Sequence, residues 1–155
     1  MDIKQLRTEI IKPILNYLGL YSKEAEELLL GTACQESQVG HYIRQIGCNG
    51  ITGAFGIYQM EIRTANDIWN NFLIYKKDLA EKVESLKIKS LTTQDNLKYN
   101  LAYATAMCRI HYLRVKEEIP VNRFGQAQYW KKYYNTASGK GTIEEYLQNW
   151  NKFNA

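Results

Sequence analysis

Apolar residues recur at three- and four-residue intervals along most of this chain, and strict apolar–polar alternation is scarce. That period belongs to helices rather than strands. Only two prolines, Pro13 and Pro120, interrupt the 155 residues, so long stretches are free to be helical. The chain therefore reads as mainly α: helices joined by short loops, with at most a small β-hairpin in a glycine-rich segment. No internal repeat, low-complexity tract or linker divides it, and its length suits one domain spanning 1–155.

Ile3, Leu6, Ile10, Ile14 and Tyr17 form the stripe of a first helix from about Ile3 to Leu18, kinked at Pro13 and closed by Gly19. Ser22 is a good N-cap for a second helix, with Glu24, Glu26 and Glu27 in its first turn. That helix is expected to reach Val39 and stop at Gly40. Gly47, Gly50, Gly53 and Gly56 mark a loop, and the hairpin belongs there. A short helix is predicted after Thr64, through Ile68 and Trp69, and a charged one from Tyr75 to Lys87. Thr92 or Thr93 caps a long helix through Leu97, Leu101, Ala104, Met107, Cys108, Ile110 and Tyr112. It is apolar on so much of its surface that its place is the centre of the fold. Asn122 opens another helix ending near Asn135, and Thr142-Ile143-Glu144-Glu145 is a capping box for the last.

Composition removes several classes of function. With 45% hydrophobic residues the chain is not a disordered one. A net charge of +4 is a mild bias toward anionic partners, but paired lysines occur only at Lys76-Lys77 and Lys131-Lys132. No basic recognition helix stands out, so nucleic acid is not expected as a partner. Cys34, Cys48 and Cys108 are odd in number and lack CxxC spacing, which argues against a disulfide framework or a zinc site. His41 and His111 are too few for a metal centre, and neither metal nor cofactor is expected. The N-terminus has no apolar core of the signal-peptide kind, and no apolar run is long enough to cross a bilayer. The expectation is synthesis in a cytoplasm, no stable membrane insertion, and another route out for any action outside.

One acid looks misplaced. At 3.6 residues per turn Leu28, Leu29, Thr32, Ala33 and Glu36 share one face of the second helix, whereas Glu24, Glu27 and Gln38 lie elsewhere. Glu36 thus sits on the apolar stripe, in the last turn, where the helix dipole disfavours a carboxylate. Burial there raises its pKa, which a carboxyl group needs if it is to donate a proton near neutral pH. The alternatives are a surface glutamate, or one paired with Arg44.

Three segments bear on that choice. Leu30-Gly31-Thr32-Ala33-Cys34-Gln35-Glu36-Ser37 resembles the first motif of the lytic transglycosylases and their goose-type lysozyme relatives, a helix ending in Glu-Ser. Gly53-Ala54-Phe55-Gly56-Ile57-Tyr58-Gln59-Met60 resembles the second, a glycine-bounded turn ending in an apolar pair and a glutamine. Trp130-Lys131-Lys132-Tyr133-Tyr134-Asn135-Thr136, followed by Gly139, resembles the third. The motifs stand in the family's order and span most of the chain. Thr32, Arg44-Gln45, Asp67-Ile68-Trp69 and Tyr103-Ala104-Thr105-Ala106-Met107 look most like bacteriophage cell-wall enzymes of this group. Departures are a longer Thr136-Ala137-Ser138 step before the glycine, Tyr58 where methionine is usual, and Cys34 beside the acid.

The resemblance implies a lysozyme-like helical domain whose substrate is the glycan strand of peptidoglycan. It implies Glu36 as the sole essential acid, cleaving the MurNAc-β-1,4-GlcNAc bond and leaving a 1,6-anhydro product. It further implies that Ser37 bonds the Glu36 carboxylate, and that Gln59 and the backbone of the Gly56 turn, with Tyr58 beside it, bind N-acetyl groups or the acid. Tyr134 is to orient Glu36 or lie near the developing charge, and Asn135 to hold local structure or a sugar hydroxyl. A phage enzyme of this kind is made in the host cytoplasm and acts on the wall at lysis or from the virion, with other virion proteins as further partners. Against this stand a hydrolytic lysozyme with Glu61 or Asp67 as second carboxylate, a non-catalytic glycan-binding or virion structural protein, and a cysteine hydrolase using Cys34 with His41 or His111.

Overall fold

A computed structural model of the protein describes residues 1–50, 52–136 and 139–155. It is mainly helical, with one small antiparallel pair of strands. Helix α1 covers residues 3–18 in three continuous segments: Ile3–Gln5, a π-helical Leu6–Ile11, and Lys12–Leu18. Pro13, which has no N–H to donate, stands in the first turn after the π-helical stretch, so the hydrogen-bond ladder widens before the proline and the helix continues. Gly19 closes it at φ 71°.

Helix α2, Lys23–Ser37, opens as expected, with the Ser22 hydroxyl accepting from the Ala25 amide at 3.0 Å. It ends two residues before Val39. Gln38 and Val39 turn to φ 51° and 55° ahead of Gly40 at 82°. A β-branched residue resists that conformation, but Val39 is wholly buried and its amide bonds the Ala33 carbonyl at 3.0 Å. Burial and hydrogen bonding outweigh the local cost.

The chain then runs through the glycine loop into strands β1, Ala54–Phe55, and β2, Met60–Glu61, with Phe55 opposite Met60 and Ala54 opposite Glu61. A single bridge joins Arg44 to Phe55. Helix α3 is Ile62–Asn71, a short turn of 3₁₀ helix covers Leu73–Tyr75, and α4 is Lys77–Leu86.

The long helix expected after Thr92 is two helices, α5 (Thr93–Tyr99) and α6 (Leu101–Leu113). Asn100 divides them. Its amide nitrogen donates to the Leu86 carbonyl at 2.8 Å and its oxygen caps α6 at the Tyr103 amide, bonds that replace the helical ladder at that point. α6 does take the central place. One side packs Ala104, Cys108 and Tyr112 against α1, α2, Trp130 and Tyr146; the other packs Tyr103, Met107 and Ile110 against Phe55, Ile68, Val83 and Leu97. Helix α7, Arg123–Trp130, begins at an Asn122 cap and runs on as a π-helical Lys131–Asn135. Helix α8, Ile143–Asn154, starts at Thr142, whose hydroxyl accepts from the Glu145 amide.

α2 is buried almost all round, more deeply than its spacing indicated. Gly31 permits this: a Cβ there would lie 1.9 Å from the Tyr146 hydroxyl of α8. Glu26, in the first turn of α2, is fully buried and held by Arg7 and Lys23. Among the described residues no helix is long and apolar enough to cross a membrane.

Candidate active site

The end of α2, the β1–β2 turn and the end of α7 converge on a groove of about 780 Å³. Glu36, Gln59, Tyr134 and Asn135 line it together, drawn from all three motif segments.

Glu36 is half-buried, and among the described residues its Oε2 accepts one hydrogen bond, from Trp130 Nε1 at 3.0 Å. No cation lies within 4.0 Å of it among the described residues; Arg44 instead donates to the Gly50 carbonyl and covers the Phe55 ring. Burial raises the carboxyl pKa from its ordinary 4.5 to about 7, and the indole hydrogen bond offsets only part of that rise. The group is poised between acid and base near neutrality.

Trp130 has no role in the sequence reading, although it stands four residues before Tyr134 on one helical stripe. It is fully buried, tilted against Tyr146 at 5.3 Å, and so gives the acid a fixed donor. Tyr134 does not bond Glu36. Its hydroxyl donates to the Tyr58 carbonyl at 2.5 Å, and its ring stacks on Tyr112 and meets the edge of His111. Tyr134 ties α7 to the strand turn while lining the groove. Burial lifts its phenol well above the usual range, and neighbouring Cys108 and Glu36 lift it further.

Ser37 also differs from expectation. Its hydroxyl lies 2.6 Å from the Ile57 carbonyl and 3.2 Å from that of Ala33, and it accepts from the Gly40 amide at 2.8 Å. It fastens the turn to the end of α2 and leaves the carboxylate to Trp130. Gly56 is occupied too: its amide donates to the Ile43 carbonyl at 2.7 Å, and its carbonyl accepts from the Gln59 amide and side chain. Its backbone therefore closes the turn and is not offered to a ligand. Tyr58 points into the core, its hydroxyl 2.9 Å from that of Thr105, so only its carbonyl serves the site.

Gln59, at φ 49°, braces the Gly56 turn and also faces the groove. Asn135 faces the groove as well, held through Lys131. That ammonium donates to Asn135 Oδ1 at 2.6 Å and to the carbonyls of Gly139 and Gly141 at 3.0 and 2.7 Å, clipping both ends of the segment after Asn135. Lys131 had counted only as half of a basic pair. The Ala137-Ser138 part of the third motif lies outside the described residues.

The rival groups separate. Glu61 lines the groove, paired with Arg63 at 3.2 Å. Asp67 does not; Arg114 at 2.6 Å and Asn71 hold it, and those hydrogen bonds keep its pKa low. Burial pushes the Cys34 thiol up to about 12, its sulfur accepts from Asn154 Nδ2 at 3.9 Å, and His41 is exposed against Tyr42. Burial pulls His111 down to about 4, so it is neutral. A thiolate–imidazole pair is therefore not assembled by either histidine. Among the described residues the groove thus brings together the Glu36 carboxyl of near-neutral pKa, its fixed neutral donor Trp130, several amide side chains, and the charged Arg44, Glu61, Lys140 and Glu145.

In comparisons with known proteins, no family model, curated protein or solved structure matches this chain.

Proposed function

We propose that this protein is a peptidoglycan lytic transglycosylase with a lysozyme-like fold, a phage lysis or virion-associated enzyme that cleaves the MurNAc-β-1,4-GlcNAc bond. The observation that carries the reading is Glu36: a carboxyl group raised to about 7, with the neutral indole of Trp130 as its hydrogen-bond donor, in the wall of an open groove. A paired or solvated glutamate would be ionised and unable to donate. Gln35, Gln45, Gln59 and Asn135 along the same groove supply the amide donors and acceptors that N-acetyl sugars require.

In this reading protonated Glu36 gives its proton to the glycosidic oxygen as the C1–O bond breaks. The acetamido oxygen of the muramic acid closes on C1 and carries the developing charge, so no second carboxylate is needed. Glu36, now a carboxylate, takes the proton of the 6-hydroxyl while that oxygen attacks C1 and the acetamido oxygen departs. Glu36 ends protonated, as it began, and the sugar leaves as its 1,6-anhydro form. The hydroxyl belongs to the substrate itself and is held close, which favours it over water. Trp130 fixes the carboxyl throughout.

A hydrolytic lysozyme is the second reading, favoured by the presence of Glu61 in the groove. Mass spectrometry of the soluble products from purified peptidoglycan, with wild type beside Glu36→Gln, separates the two. Fragments ending in 1,6-anhydromuramic acid from wild type alone are the expected result. Reducing ends one water heavier would transfer the second step to water and Glu61. Undiminished cleavage by the variant, or none by either protein, would overturn the role of Glu36.

A further inference from the structure

A second cleft, of about 490 Å³, shares no lining residue with the Glu36 groove among the described residues. One wall is the start of α2, at Ser22 and Glu24; another is Arg109 of α6; Tyr129 of α7 and the segment after α6, through Lys116 and Glu118, complete it. Arg109 is more than nine-tenths buried. Its Nε donates to the Leu20 carbonyl at 3.0 Å. Its two Nη groups make no hydrogen bond, and no carboxylate oxygen lies within 4.0 Å of them among the described residues. Arg109 lines the cleft, and its guanidinium end is not sealed in the core, so these groups meet whatever occupies the cleft.

The start of α2 adds to this. Ser22 accepts from the Ala25 amide, and the Glu26 amide turns back to the Ser22 carbonyl, which leaves the amides of Lys23 and Glu24 as unsatisfied first-turn donors. The Ser22 hydroxyl has its own proton to give, and the helix end carries partial positive charge. Arg109, Ser22 and the first turn of α2 at Glu24 thus line the same cleft.

The rest of the charged lining is three carboxylates, Glu24, Glu117 and Glu118, and one ammonium, Lys116. Glu24 and Glu118 line the cleft with no ion pair among the described residues, while Glu117 is taken by Lys132 at 3.5 Å. A dianion such as phosphate would meet repulsion from those carboxylates. A ligand carrying one carboxylate and one ammonium satisfies both layers.

We propose that this cleft binds a small zwitterion, a free amino acid or the C-terminal end of a short peptide, with Arg109 and the start of α2 taking the carboxylate and Glu24 and Glu118 the ammonium. The planar fork of Arg109 matches a carboxylate through two parallel hydrogen bonds.

The test is a titration of the full-length, ¹⁵N-labelled protein with alanine, alanylalanine, acetate and inorganic phosphate, followed by NMR. Saturable shifts of the Lys23 and Glu24 amides and of Arg109 Nε are expected with alanine or alanylalanine, and weaker ones with acetate. Tighter binding of alanine assigns the cleft to free amino acids, and tighter binding of alanylalanine to a peptide end. Arg109→Lys should weaken binding by about tenfold or more, because the lysine loses the fork. Replacing both Glu24 and Glu118 by glutamine, at positions outside the core, should abolish the preference for the zwitterions over acetate. No saturable shift with either zwitterion, or phosphate binding more tightly than both, overturns the proposal. So does a folded Arg109→Lys protein with unchanged affinity. If that variant does not fold, the double glutamine variant decides, and an unchanged preference over acetate sinks the idea.

Discussion

Glu36 ties stability to pH in a direction opposite to most carboxylates. Its folded pKa of about 7 lies above the ordinary 4.5, so between those values the folded state keeps a proton that the unfolded state has released. The contribution is full below pH 4.5 and is lost as pH rises through 7. Glu36→Gln has no such proton. The variant should match wild type near pH 4.5 and exceed it above pH 7 by up to about 3 kcal/mol. Urea melts of both proteins at pH 4.5 and pH 8 measure the difference. Equal stability at pH 8 would mean that the carboxyl is solvated and its pKa ordinary. The same substitution is the one expected to abolish glycan cleavage, so activity and stability are opposed at this residue.

The site depends on how three elements are fastened, and two residues test the fastenings. Ser37 holds the β1–β2 turn to the end of α2 through Ile57 and Gly40. Ser37→Ala leaves a buried carbonyl and an amide without their partner and should cost about 1–3 kcal/mol. Because the hydroxyl does not touch the Glu36 carboxyl, the pH at which Glu36 titrates should stay where it is; a displaced titration would restore the role expected from the Glu-Ser motif. Gly56 stands where the turn meets α5. At φ 83° its Cβ would lie 1.8 Å from the Leu97 carbonyl oxygen. Gly56→Ala must therefore push the turn off α5, and a loss of about 2–4 kcal/mol in a denaturant titration is expected. A near-neutral result would show that the turn moves freely and is not a rigid wall of the groove.

Across the molecule, α1 and α2 are joined by the fully buried Glu26, which accepts from Arg7, Lys23 and Tyr21. Burial pushes its pKa up, but the hydrogen bonds from Lys23 and Arg7 outweigh it and hold the carboxyl below the usual range. Its stabilisation is thus present above the ordinary pKa and lost as pH falls through the lowered one. Glu26→Gln removes the buried anion that Arg7, partly covered, and Lys23, largely exposed, both reach. A loss of about 3 kcal/mol at pH 7, shrinking in acid as wild type loses its own carboxylate, is the expected pattern. Thermal melts of both proteins from pH 3 to pH 7 check it; a difference that does not change with pH would reduce Glu26 to a packing residue.

What the sequence determined by itself is local. The 3.6-residue periodicity specified helices, and Ser22, Asn122 and Thr142 marked their starts, because an N-cap needs only a side-chain oxygen within reach of its own next turn. The stripe through Leu28, Thr32 and Glu36 was enough to single out a misplaced acid. Tertiary structure decided what depends on partners distant in the chain. The break at Asn100 rests on the Leu86 carbonyl, and the early end of α2 on the burial of Val39 and on Ile57. The donor to Glu36 comes from 94 residues away, on Trp130. Ser37, Gly56 and Tyr58 turned out to build the groove and not to face it. Their position in a motif marks the turn they form, but whether a hydroxyl or amide is free for a ligand depends on which other groups reach it first. Only the packed chain determines that.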